Sequence, residues 1–447
     1  AVAVQASGEV LIGGAFTTVN GTNLTRIARL DLDGAVDPSF AVGTGANGII
    51  RAIAVQPDGR ILIGGDFTSY NGTNINRIAR LTTNGALDLS FNVGSGLDNI
   101  AYAVALQTNG QVLVGGSFGN VNGAPQAFLA RLNSDGSHDA TFAPALNGPV
   151  VAIQVLANGQ ILIGGDFTQI SGSARSRFAL LNANGSVDTS FGAGAGADAI
   201  VYALGVQSDG KVLIGGLFNN VHGFPRTRFA RLNADGSLDG AYNPDTGAGS
   251  QIFAIAVQPD DRAIIGGSFT PVNSASRTNL TRLNTDGTLD FFYATGSGPN
   301  STVRALSLDA AGRLSVGGDF TTFNGVARAG VARVNGTGAL DATFDVGIGA
   351  DAPVLVVAAV SDGHVMAGGN FATMDGLTVG HVVRLNGDHG VVQLATGAVT
   401  VLESIGSVTL DIVRLAGNSG VGTLNFMTVN GTAVAGSDFT ATNGTLT

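Results

Sequence analysis

Short apolar runs alternate with glycine-centred turns along most of this chain, and they do so on a fixed beat. Residues 51–99 show one beat. Ala52–Gln56 (AIAVQ) is an apolar run ended by Asp58-Gly59, and Arg60–Phe67 (RILIGGDF) is a second, closed by Asn71-Gly72. Ile75–Leu81 (INRIARL) is a third, closed by Asn84-Gly85. Ala86–Phe91 (ALDLSF) is a fourth, followed by a Gly-x-Gly loop at Gly94–Gly96. Asn-Gly and Asp-Gly between β-type runs are hairpin signals, because a type I′ turn needs positive φ at both central positions. The pattern predicts an up-and-down meander of four strands.

The beat returns as a Gly-Gly-x-Phe signature at Gly13, Gly64, Gly115, Gly164, Gly215, Gly266, Gly317 and Gly368, with spacings of 51, 51, 49, 51, 51, 51 and 51 residues. A fixed period of this size means one supersecondary unit copied many times, and a repeated four-stranded meander is a propeller blade. We therefore expect an all-β chain whose residues 1–388 form an eight-bladed β-propeller with four-stranded blades. The first run of each copy has no clear polar face and is expected as the innermost strand, buried on both sides. The paired glycines are expected to let the adjacent blade approach, since they carry no Cβ. The Phe after them should fill the space between blades. The Asp of each fourth run (Asp37, Asp88, Asp139, Asp188, Asp239, Asp290, Asp341) is expected to bond backbone donors in the adjoining turn.

Two departures stand out. Between Phe142 and Val151 the chain reads APALNGPV, two residues short and without the Gly-x-Gly loop, which predicts an asymmetric spot on one face. The eighth copy lacks the fourth run, so its edge needs a strand from elsewhere. Val391–Leu394 (VVQL) is the local candidate, and sequence before Ala1 is the other.

The repeat resembles the delta-60 repeat of bacterial surface proteins, on V-Q-P-D-G-R-I-L-I-G-G-D-F (Val55–Phe67), R-I-A-R-L (Arg77–Leu81) and L-D-L-S-F (Leu87–Phe91). The resemblance covers Ala1 to about Asn386. It implies a propeller within large, often secreted or surface-attached, multidomain bacterial proteins.

From about Val391 the beat stops. The run E-x-x-G-S-V-T-L from Glu403, then R-L-A-G, then T-V-N-G-T-A-V-A-G-S-D-F-T-A-T-N-G-T-L-T resembles the Calx-beta domain over Ala398–Thr447. The resemblance implies a β-sandwich that can bind calcium, with Glu403 and Asp438 as the implied ligands. The pattern stops near its middle at Thr447, so residues 389–447 are expected as an incomplete sandwich. Either the chain is a fragment, or strands of another subunit complete it by strand addition. The expected partner is then another copy of the chain, through residues 391–447 and blade 8, an arrangement that gives fibres.

Composition narrows the function classes. Lys and Arg number 22 against 32 Asp and Glu, a net charge of −10 that leaves no basic surface for nucleic acid or anionic lipid. The absence of cysteine excludes a disulfide framework and fits an exported protein. No apolar run is long enough for a membrane-spanning helix, and Ala1 reads as a processed or trimmed start. The five histidines (His138, His222, His364, His381, His389) fall in turns and variable positions and are expected on the surface. No Gly-x-Ser-x-Gly, His-Glu-x-x-His or Walker pattern occurs. The leading expectation is a non-enzymatic extracellular structural or adhesive module. The rivals are a glycan-binding, lectin-like propeller and an enzyme with a central-channel site. Variable polar and aromatic residues clustered on one face would favour the glycan binder.

Overall fold

The computed structural model describes residues 1–192, 194–244, 251–269, 277–387, 392–394, 409–414, 424–429, 433–435, 437–438 and 440–446. The chain divides into two compact units, one of residues 1–341 and 346–385, the other of residues 342–345 and 386–447. Among the described residues there is no helix.

The first unit is built from eight copies of one motif. In the second copy, Ile50–Val55, Ile61–Gly65 and Ile78–Leu81 form a continuous antiparallel sheet. Ser69–Tyr70 and Thr73–Asn74 form a small ribbon over it, and the fourth segment joins through a single bridge, Leu81 to Leu87. The fourth strand is this brief because Asp88 turns the chain: its N–H donates to Arg80, and Phe91 N–H then donates back to Asp88. The turns divide into two kinds. At the ribbon tip both central residues have positive φ, as at Asn71 (46°) and Gly72 (76°). At the first turn only Gly59 (81°) does, and Gln56 both accepts from Gly59 N–H and donates to Arg60. That is a type I turn closed by a left-handed glycine rather than a type I′ turn.

Each first strand lies against the first strand of the next copy, and Val354–Ala359 lies against Val2–Val4, so the ring closes on itself. The closing seam is apolar: Val10, Ile12 and Phe16 of the first blade share a cluster with Val360, Met366 and Val382 of the eighth. The first strands are indeed innermost, but they are not buried on both sides. Residues 51–55 are half-buried or exposed, whereas Ile61–Gly65 is buried throughout. The second strand is thus the one enclosed by neighbouring blades, and the first gives one face to the channel.

The paired glycines do two different jobs. A Cβ on Gly64 would meet Val104 and Ala101 of the next blade at 2.9 and 3.2 Å, as expected for close blade packing. A Cβ on Gly65 would instead stand 2.0 Å from the Ile49 carbonyl of its own blade. The Phe that follows is buried in every copy, from 0% exposure at Phe67 to 8% at Phe16.

In the second unit, Val392–Leu394 pairs antiparallel with Ile412–Arg414, and Leu424–Met427 with Asn443–Leu446. The strand considered for closing the eighth blade is therefore paired within the second unit.

Candidate ligand-binding face at the channel mouth

Two sets of side chains recur at fixed places in the blades, one constant and one varied. The constant set lies on the third strand and the segment after it. Arg80 Nε donates to Asp88 at 2.8 Å, its guanidinium lies 4.6 Å from the centre of the Phe91 ring, and Nη1 reaches the Ser134 carbonyl of the next blade at 2.6 Å. Arg29, Arg131, Arg231 and Arg282 repeat all three contacts with Asp37, Asp139, Asp239 and Asp290. Each Asp also accepts from the backbone two residues on, as the sequence suggested; Ser90 N–H lies 3.0 Å from Asp88. The arginine partner went unread, although the Arg-Leu pair ending most third runs was its signal. The fourth blade departs from the rule. Leu180 occupies the arginine position, and Asp188 takes Gln160 Nε2 at 2.8 Å instead.

The varied set lies at the channel mouth. The first strand pairs Ile50 with Gly65 and Ala52 with Gly64, which leaves Arg51 as the extra residue of a β-bulge. The same bulge recurs at Tyr102, Val151, Tyr202, Phe253, Arg304 and Leu355. A bulge frees its residue from the pleat and re-aims the side chain. Each of these side chains is half-buried or exposed, like most of its strand; what sets the column apart is its mix of arginine, aromatic and aliphatic residues in otherwise mostly apolar strands. Neighbours in the row touch. The Tyr202 and Phe253 ring centres are 5.8 Å apart with planes tilted by 32°, and Arg304 lies 5.7 Å from the Phe253 ring. Arg51 lies 5.9 Å from the Tyr102 ring.

Beside this row stands the variable residue of each Gly-Gly-x-Phe signature, including Asp66, Ser117, Asp166, Ser268 and Asp319. The bulge carbonyl side places it there, since Asp66 N–H donates to Ile49 at 2.7 Å. Arg51 forks onto Asp66 at 2.5 and 2.7 Å, and Arg304 onto Asp319 at 2.6 and 2.7 Å. The Asp66 carboxylate, beside the guanidinium, holds the Arg51 pKa above its usual range. Arg177 pairs with Asp166. Burial, helped by the nearby Asp166 charge, pushes the Tyr202 phenol up. The bulge column was missed because a single repeat reads there as one more strand residue. Aligning the copies would have found it, since it is the column in which arginine, aromatic and aliphatic residues exchange.

The loops around the mouth are fixed in place. Asn71 accepts from Thr44 N–H at 3.1 Å and donates its own N–H to the Gly45 carbonyl at 2.7 Å. A Cβ on Gly43 would fall 2.1 Å from Asn71 Oδ1, which explains the Gly-x-Gly loop. The short loop of residues 143–148 is held the same way by Ser171, which accepts from Ala145 N–H at 3.2 Å. His222 does this work in the fifth blade, with Nδ1 3.0 Å from Gly196 N and its ring edge-on to Phe178. His364 is 9% exposed. Surface placement therefore fails for His364, which packs beside Asp362; His138, His222 and His381 are half-buried, with His222 serving as a turn acceptor, and His389 lies outside the described residues.

Of the two residues implied for calcium, Glu403 lies outside the described residues. Asp438 is exposed and accepts from Val434 N–H at 2.8 Å. Among the described residues no three His, Cys, Asp or Glu side chains gather as metal ligands, and no helix is long and apolar enough to cross a membrane.

The family described as "Domain of unknown function (DUF5122) beta-propeller" matches residues 5–40, 56–91, 107–142, 156–191, 207–241, 258–290, 312–344 and 361–388, and the Calx-beta domain matches residues 386–447. No curated protein matches the chain. Among solved structures, the WD40 β-propeller domain of Doa1 is 15% identical, with 76% of this chain and 93% of that one covered and a TM-score of 0.41. The Dos1 propeller is 10% identical, with 86% and 91% covered and a TM-score of 0.46. PorZ, a bacterial surface component of the type-IX secretion system of Porphyromonas gingivalis, is 14% identical, with 88% and 56% covered and a TM-score of 0.44. The chain thus spans little more than half of PorZ. At such identities and TM-scores none of these likenesses bears on activity.

Proposed function

The chain belongs to the DUF5122 β-propeller family and carries a Calx-beta match behind the propeller, and from that premise we propose that it is a non-enzymatic, adhesive binding module of an extracellular bacterial protein, with the channel mouth as its contact surface. The observation that carries this reading is the bulged column. A repeat protein holds constant what packs copy against copy, and it differentiates copies only where side chains leave the packed interior. The column from Arg51 to Leu355 is such a place, and it mixes aromatic and charged residues as binding surfaces do. A binding rather than catalytic role is supported by the engagement of the mouth carboxylates. Asp66, Asp166 and Asp319 are each taken up by an arginine. An extracellular setting is supported by the absence of cysteine and by the resemblance to repeats of surface proteins.

The test is adhesion of the full chain to immobilised bacterial and host surface polymers. Arg51→Ala, Tyr202→Ala and Phe253→Ala are expected to weaken adhesion while thermal unfolding stays unchanged. Adhesion by all three variants equal to that of the parent protein would overturn the reading.

A further inference from the structure

The chemistry of the mouth also restricts what it can hold, on the premise that the mouth is the binding surface. We infer that it takes a neutral saccharide chain, stacked on Tyr202 and Phe253 and hydrogen-bonded by the flanking carboxylates.

Three candidate ligand classes conflict with the groups present. A polyanion needs free cations, yet both bulge arginines are already neutralised by a two-point fork, Arg51 by Asp66 and Arg304 by Asp319. An anionic ligand would have to displace a carboxylate that the same bulge geometry fixes in place. The whole chain carries a net charge of −10, which repels it further. A purely apolar ligand would strip water from three carboxylates without offering them donors, which is unfavourable. A polycation would find carboxylates that already have arginine partners.

A neutral saccharide satisfies what remains. Its rings present apolar C–H faces to aromatic rings, and Tyr202 and Phe253 set two half-buried rings 5.8 Å apart, with the Arg304 guanidinium over the Phe253 ring. Its hydroxyls donate to carboxylate oxygens. A carboxylate held by an arginine fork keeps lone pairs free for such bonds, which are charge-assisted and therefore strong. Ser117 and Ser268 add hydroxyls in the same column as the carboxylates. The ring pair is preorganised, because the bulge fixes its backbone and neighbouring blades fix its base, so little side-chain entropy is lost on binding.

The experiment is a glycan array of neutral and acidic saccharides probed with the full chain, followed by titration of the strongest neutral binder at low and high salt. Binding to neutral saccharides that persists in high salt is expected. Tyr202→Ala and Phe253→Ala are each expected to weaken it about tenfold or more, while Tyr202→Phe, which keeps the stack, stays close to the parent protein. Binding confined to acidic saccharides and abolished by salt would overturn the inference, as would neutral binding unaffected by either alanine variant. If no saccharide binds but the alanine variants still lose adhesion to protein-coated surfaces, the saccharide inference fails and the binding mouth stands. If no saccharide binds and the variants adhere like the parent, both fail.

Discussion

The rim of the propeller, formed by the third strand and the segment after it on the side away from the first strand, and its mouth are made by copies of one sequence, yet they have diverged to different degrees. At the rim, Arg80, Asp88 and Phe91 recur almost unchanged, because each set must also reach the carbonyl of a turn in the next blade. At the mouth, the column that begins with Arg51 changes character at nearly every step, because a bulge has turned its side chain away from the packed blade. Repetition is enforced where copy touches copy, and variation is permitted where a side chain leaves the sheet. Function in such a chain is expected in the second kind of place.

This contrast can be broken by substitution, and the largest effects belong to the packed part. Phe67→Ala removes a fully buried ring and should cost about 3–5 kcal/mol. Because blades contact mainly their neighbours, hydrogen exchange should show the loss confined to the second blade and those on either side. Asp88→Ala strands the Arg80 guanidinium, which is 5% exposed, and should cost about 3–5 kcal/mol in chemical denaturation.

A smaller effect is already present in the chain. The seam between the fourth and fifth blades lacks the arginine bolt, because Leu180 stands in its place. Amides along that seam should exchange sooner than those between the second and third blades, and uniform protection at both seams would contradict this role for the arginines.

Acid should affect the rim in a defined window. Burial would raise the Asp88 carboxyl, but hydrogen bonds from Ser90 and Arg80 outweigh it and hold the pKa below its ordinary value. Asp37 and Asp139 are depressed in the same way, burial being opposed by the hydroxyls of Ser39 and Thr141 and by their arginines. A carboxyl depressed in the folded state contributes stability that is complete above its unfolded pKa of about 3.9 and is lost as pH falls through the folded value. Unfolding midpoints should therefore be flat from neutral pH down to about 5 and fall below about 4.

The smallest effects on stability belong to the mouth. Arg51 and Asp66 form a partly exposed pair, with side chains 37% and 22% accessible. Arg51→Ala should change stability by no more than about 1 kcal/mol.

The period, the eight blades and the burial of the signature phenylalanines were legible in the sequence, because Gly-Gly-x-Phe and the x-Gly turns are local and repeat exactly in kind. The distinct tasks of Gly64 and Gly65 were not, since a next-blade side chain and an own-blade carbonyl leave the same sequence mark: a missing Cβ. The aspartates of the fourth segment were read correctly as turn acceptors, but their arginine partners lie eight residues upstream on another strand, as Arg80 does from Asp88. The mouth was least legible of all. A bulge is a property of pairing register, and Arg51 differs from its neighbours only once the strand opposite it is known.

The central claim is that the mouth binds and the rim holds, with the two separable. The most direct test is to measure saccharide binding and thermal unfolding together on the Tyr202→Ala/Phe253→Ala double variant. Binding lost with an unfolding midpoint close to that of the parent protein is the predicted result. Binding retained, or a midpoint lowered as far as by Phe67→Ala, would contradict it.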